Sequence, residues 1–290
     1  MDEGLIGTMD GHDNISTNNL LTLLFFSGKY YNIWTDYSDM SAHILWADVD
    51  STKDGNETKI NDIQTESLFH ALTCDPHSSG HTLLGVASDS GSDFMLKRLE
   101  LDTVNETVIG QFPEKEVVWG GSDSIFAFNA DGSEVWAAWP ADHCPDCSGS
   151  KKGGRVHVMD TATGTIKQTL KVKNHLLGAN GSPYFLIPDQ KRGVFDYGNL
   201  ELKWIDFEIE NGEFTYKTTG DASALWASSM PPKVCNDGNT VLTLPFANAE
   251  TSTLSAFTIS DGTSTASIDL TQTFNPKDGP HFGGIACLTA

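Results

Sequence analysis

An all-β fold of about five four-stranded antiparallel repeats is predicted by three observations. First, residues 120–170 hold one complete unit. Within them the apolar run Ser124 to Asn129, the turn residues Ala130-Asp131-Gly132-Ser133 and the second run Val135 to Trp139 make a hairpin. Arg155 to Asp160 then alternates as a half-buried strand, and Thr161-Ala162-Thr163-Gly164 turns it into Thr165 to Leu170. Second, weaker copies flank this unit, with last-hairpin turns at Gly55, Asn105, Gly164, Gly212 and Gly262, a spacing of about 50 residues. Third, no stretch carries the periodicity of an amphipathic helix. Four strands at that period is the pattern of β-propeller blades.

The elements follow in order. Residues 1–19 are polar and rich in Gly, Asp and Asn, so they read as a flexible lead-in to a single domain over 20–290. Strands are expected at Leu20 to Phe26, Tyr30 to Thr35, Ala42 to Val49 and Thr58 to Ile63. A second set falls at Ser67 to Thr73, Thr82 to Ala87, Phe94 to Leu101 and Thr107 to Phe112. The fourth repeat uses Pro183 to Ile187, Gly193 to Tyr197, Leu200 to Glu208 and Phe214 to Thr218. The fifth uses Lys233 to Cys235, Thr240 to Pro245, Thr253 to Ile259 and Ser264 to Leu270. Every last hairpin is expected to close on a residue suited to positive φ. At the end of the chain Gly279 to Leu288 reads as an extra C-terminal inner strand, which would either close the ring or begin a further blade of a longer chain.

The segment Val156-His157-Val158-Met159-Asp160-Thr161-Ala162-Thr163-Gly164 resembles the strand-and-turn signature of YVTN-type and quinoprotein-like β-propellers. Asn129-Ala130-Asp131-Gly132-Ser133 is similar to their Pro-Asp-Gly turn with Pro replaced. Pro280-His281-Phe282-Gly283-Gly284-Ile285-Ala286 is similar to the blade entry of lactonase-like members, with Phe282 inserted. The resemblance implies architecture and carries no catalytic residue across.

Composition narrows the function classes. Eighteen Lys and Arg against 39 Asp and Glu give a formal charge of −21, which repels nucleic acid and anionic membranes, because Lys and Arg neutralising phosphates carry that affinity. The acid excess suits solubility in a saline medium, divalent cations or a basic partner. No apolar run approaches the roughly 18 residues of a membrane span. The triplets Asn14-Ile15-Ser16, Asn56-Glu57-Thr58 and Asn105-Glu106-Thr107 have the N-glycan acceptor pattern. With the Cys144 and Cys147 pair they tilt the setting towards an extracellular or otherwise oxidising compartment.

Candidate chemistry is dispersed. Asp142-His143-Cys144-Pro145-Asp146-Cys147 lies in the longest loop, between the second and third strands of the third repeat. Cys144 and Cys147 are readable as a loop-stapling disulfide, as free thiols, or with His143 as part of a zinc site that lacks a second Cys-x-x-Cys. Cys74, Cys235 and Cys287, on or beside inner strands, read as small core-filling side chains. His70 and His281 begin or precede inner strands, where a propeller forms its central pocket, and Asp123 stands before another. Together they are the candidate catalytic or calcium-binding groups, against the plainer reading of hydrogen-bonded histidines at blade junctions. Trp119 and Trp226, near inner-strand approaches, are candidate platforms for a small ligand or carbohydrate. No phosphate loop, nucleophile elbow or His-Glu-x-x-His segment occurs. The first functional expectation is a non-catalytic binding or assembly module, with a protein partner or self-association. The alternative is a metal-dependent, lactonase-like hydrolase using calcium or zinc in the central channel.

Overall fold

The computed structural model describes residues 20–26, 29–36, 41–48, 61–78, 81–88, 93–115, 125–139, 154–172, 182–196, 201–223, 233–234, 239–243, 253–258 and 264–269. Their twenty strands form five antiparallel meanders. Blade 1 is β1 (Leu20–Phe26), β2 (Lys29–Asp36), β3 (Ser41–Asp48) and β4 (Asn61–Gln64). Blade 2 is β5 (Leu68–Cys74), β6 (Thr82–Ser88), β7 (Asp93–Glu100) and β8 (Asn105–Lys115). Blade 3 is β9 (Ile125–Phe128), β10 (Glu134–Trp139), β11 (Arg155–Asp160) and β12 (Ile166–Val172). Blade 4 is β13 (Ser182–Ile187), β14 (Arg192–Asp196), β15 (Leu202–Glu210) and β16 (Glu213–Asp221). Blade 5 is β17 (Lys233–Val234), β18 (Thr240–Thr243), β19 (Thr253–Thr258) and β20 (Ser264–Asp269). A short 3-10 turn, Pro188–Gln190, joins β13 to β14. The expected lead-in and the terminal strand at 279–288 lie outside them.

The first strands β1, β5, β9 and β13 lie beside one another in succession, so they are innermost. The blades then pack face to face, and this explains the apolar runs. Along β10, Val135, Ala137 and Trp139 join Val86, Phe94, Leu96 and Phe112 of blade 2, whereas Trp136 and Ala138 join Phe195, Ile205 and Phe207 of blade 4. A strand covered on both sides needs apolar residues at odd and even positions alike. Hence Glu134 to Trp139 and Thr82 to Ser88 read as continuous runs and are buried almost throughout. Two further cores repeat the arrangement, Ile44 with Phe69, Leu83 and Leu99 between blades 1 and 2, and Trp204 with Val241 and Phe257 between blades 4 and 5.

Turn chemistry fixes the register. Gly164 has φ +66°, while the Asp160 carboxylate accepts from Thr163 N–H and Thr163 Oγ1, both at 2.9 Å. Asn211 and Gly212, at φ +53° and +78°, close the β15–β16 hairpin as an Asn-Gly turn should. Blade 2 departs from expectation: the residue in the left-handed region is Val104 at φ +55°, and Asn105 already begins β8. For a β-branched side chain that conformation costs about 1–2 kcal/mol. The first-to-second strand turns also link blades. His77 Nε2 meets Thr161 Oγ1 at 2.9 Å, and Ala130 N–H donates to Asp189 Oδ2 at 2.6 Å.

Two contacts were not foreseen from the repeat. The outer strands β12 and β16 pair in parallel at Lys171↔Glu213 and Val172↔Phe214, fusing blades 3 and 4 into one eight-stranded sheet. In blade 2, Lys97 and Glu106 form an ion pair at 3.2 Å with side chains only 8% and 7% exposed. Ser67 Oγ donates to Glu106 Oε2 at 2.6 Å, and Glu66 N–H donates to Oε1 at 2.8 Å. The connection from blade 1 is thereby tied to the outer hairpin of blade 2.

Candidate functional site

His70 is the one described member of the predicted catalytic set, and its place is set by a β-bulge. In the β5–β6 ladder Phe69 faces Ala87 and Ala71 faces Val86, which leaves His70 as the extra residue. Bulges re-aim a side chain, and equivalent irregularities recur in β1 between Leu20 and Thr22 and in β13 between Pro183 and Phe185. His70 Nε2 shares a 2.7 Å hydrogen bond with Ser88 Oγ at the end of β6. Its ring meets Phe94 edge-on at 5.1 Å and Phe126 of the next blade at 6.1 Å. Behind these rings Phe112 and Trp139 close an aromatic cluster at the junction of blades 2 and 3.

Burial lowers the His70 pKa from 6.5 to about 4, so the ring is neutral at physiological pH although part of its surface stays open. Its folded-state pKa lies below its unfolded value, so the unfolded chain binds more protons between the two. The stability this neutral ring brings is complete above pH 6.5 and is lost as the pH falls towards 4. Wild type is predicted to lose about 3 kcal/mol more than His70→Gln across that window in urea unfolding followed at several pH values.

The strand ends that frame the other candidates lie at the same end of the blades as His70. Lys115 ends β8 and Ile125 begins β9 around residues 116–124, which include Trp119 and Asp123; Trp139 and Arg155 flank the loop of His143, Cys144 and Cys147. Trp119, Asp123, His143, Cys144, Cys147, Trp226 and His281 themselves, with Cys235 and Cys287, lie outside the described residues. Among the described residues no three His, Cys, Asp or Glu side chains gather as metal ligands. Cys74 is partly exposed at the end of β5, and so fills less of the core than its strand position suggested.

Two other chemical groupings emerge that sequence reasoning missed. Ser67 lies within hydrogen-bonding reach of Lys97 Nζ, the residue pair of a Ser-Lys nucleophile. Ser67 exposes no surface, however, so no substrate reaches it, and the cluster is structural. On blade 4 an open polar groove of about 650 Å³ is lined by Gln190, Arg192, Asp206, Glu208 and Lys217 among others. Arg192 Nε lies 3.0 Å from Asp206 Oδ1, and its guanidinium stacks 5.1 Å over Trp204. This groove sits at the first-turn end of its blade, opposite the end that His70 occupies in blade 2. Neither grouping had a signal, because Lys97, Glu106 and Arg192 read as solvated strand positions.

No family model and no curated protein sequence matches the chain. Among solved structures, TolB from Acinetobacter baumannii is similar with a TM-score of 0.51 at 15% identity, over 87% of this chain and 54% of that one. The β-propeller domain of the trilobed protease from Pyrococcus furiosus aligns at 0.41 and 11% identity, over 89% of this chain and 72% of that one. With its successive four-stranded meanders and neighbouring first strands, the chain is a β-propeller. A putative 6-phosphogluconolactonase from Bacteroides fragilis aligns at 0.42 and 15% identity, over 85% and 69% of the two chains. At these identities the likeness concerns the propeller fold alone, and the chain spans about half the length of the TolB structure. No helix among the described residues is long and apolar enough to cross a membrane.

Proposed function

We propose that this propeller is a non-catalytic binding or assembly module, recognising a protein partner or a second copy of itself in an extracellular or other oxidising setting. The observation that carries this reading is the state of His70. Its nitrogen is engaged by Ser88, its ring is packed between Phe94 and Phe126, and burial keeps it neutral. A histidine so committed holds blades together. The inner faces of the blades are likewise spent on each other, which leaves turns, loops and outer edges for recognition. A formal charge of −21 favours a basic partner surface. The Asp160 to Gly164 turn, with its Thr163 contacts, supports kinship with YVTN-type propellers.

In the lactonase-like alternative, His70, Asp123 and His281 would gather around calcium or zinc, with Trp119 and Trp226 as walls for the ligand. Thermal melting separates the two readings. The binding module melts at the same temperature with calcium, with zinc or after EDTA. A midpoint raised by either metal and lowered again by EDTA would favour the hydrolase.

A further inference from the structure

The acceptor-type triplet Asn105-Glu106-Thr107 is the one of the three that lies wholly within described structure, and the fold presents it well. Asn105 and Thr107 are both exposed, and they follow the left-handed Val104 at the tip of the β7–β8 hairpin. As residues i and i+2 of a strand, their side chains share one face, while Glu106 turns the other way into its ion pair with Lys97.

The surrounding strand supplies a second, independent observation. β8 is the outer edge of blade 2, and among the described residues it pairs with β7 alone. A free edge templates pairing with other chains, and proteins blunt it with exposed charge, bulges or a cover. The outer strands β12 and β16 carry exposed Lys167, Lys171, Lys217 and Asp221, and they also pair with each other. From Asn105 to Pro113, β8 exposes no charged side chain, yet it exposes Val108 at 53%, with Val104 at 40% just before it. A bulge opposite Leu96 and Lys97 interrupts the ladder beyond Val108, so the regular edge needing cover is Asn105 to Val108.

We propose that Asn105 is an N-glycan acceptor and that its glycan covers the β8 edge. The co-reactant is a lipid-pyrophosphate-linked oligosaccharide of the secretory membrane. The Asn105 amide nitrogen attacks the first sugar carbon, a nitrogen–carbon bond forms and the carbon–oxygen bond to the pyrophosphate breaks. The lipid pyrophosphate leaves with the electron pair, and the amide nitrogen gives up one proton. The Thr107 hydroxyl is the group recognised at the i+2 position. The inference rests on the extracellular setting of the proposed function, while neither His70 nor the metal response enters it, so the two fail separately.

The test is secretion of the full chain from cultured eukaryotic cells behind a cleavable signal peptide, with intact mass and peptide mapping before and after enzymatic deglycosylation. The expected result is a glycan at Asn105 that is lost in Asn105→Gln and Thr107→Val and kept in Thr107→Ser, with Asn14 and Asn56 read on their own peptides. Light scattering should also show the Asn105→Gln chain associating more than the glycosylated one, and added Val108→Lys should reverse this. An unmodified Asn105 peptide in the secreted wild type overturns the proposal, as does an Asn105→Gln chain no more associated than the glycosylated one.

Discussion

Replacing Lys97 by Met is expected to destabilise the propeller by about 3–5 kcal/mol, because it strands the buried Glu106 carboxylate without its cation. A loss of that size lowers the melting midpoint on the order of 10 °C in a chain this long. Glu106→Gln should cost a similar amount by stranding the ammonium. The carboxylate also accepts from Ser67 and from the Glu66 backbone, so its loss unties the connection between blades 1 and 2 as well. The informative comparison is the double variant Lys97→Met with Glu106→Gln, which keeps an acceptor oxygen for Ser67 and the Glu66 backbone. Removing both charges spares the cost of desolvating them, so the pair should be less destabilised than either single change. Calorimetric melting of the three variants checks this. Additive losses would mean that the two groups do not act as a pair.

The second large effect is expected at Gly164. A Cβ placed there would fall against the Ile109 carbonyl oxygen and within 2.7 Å of Gly110 Cα, because the blade 3 turn abuts the outer strand of blade 2. Backbone at that distance cannot yield as the end of a side chain can. The residue also has φ +66°, which disfavours any side chain. Gly164→Ala is therefore predicted to cost about 2–5 kcal/mol, from the left-handed conformation and from overpacking together. Gly212→Ala is the internal control. Its φ is +78°, but a Cβ there meets nothing within 4 Å, so only the conformational part of about 1 kcal/mol remains. Chemical denaturation of both variants separates turn strain from the blade-to-blade approach. Equal losses would show that the contact between Gly164 and Gly110 contributes nothing.

These two sites also mark how far the sequence could be read. Gly164 was legible: an apolar strand, an Asp, and a Thr-Gly turn form a local pattern whose chemistry is complete within a few residues. The four-strand period was legible for the same reason, since each hairpin carries its own turn residues. Lys97 and Glu106 were not, because a charged residue on a strand reads as solvated unless its distant partner is known. Val104 gave no sign of its positive φ, since a β-branched residue is the last one that turn chemistry would place there. The parallel pairing of β12 with β16 joins residues from different blades and has no local signal. His70 was placed correctly on an inner strand, but its bulge and its bond to Ser88 depend on register, which no single strand reveals.

The reading of His70 as a packing residue can be tested on chemistry itself. The decisive measurement is hydrolysis of a simple lactone by the full chain loaded in turn with calcium and zinc, beside a metal-only blank and a His70→Ala variant of confirmed fold. A non-catalytic propeller predicts rates equal to the blank in every sample. Metal-dependent turnover that disappears in His70→Ala would contradict it.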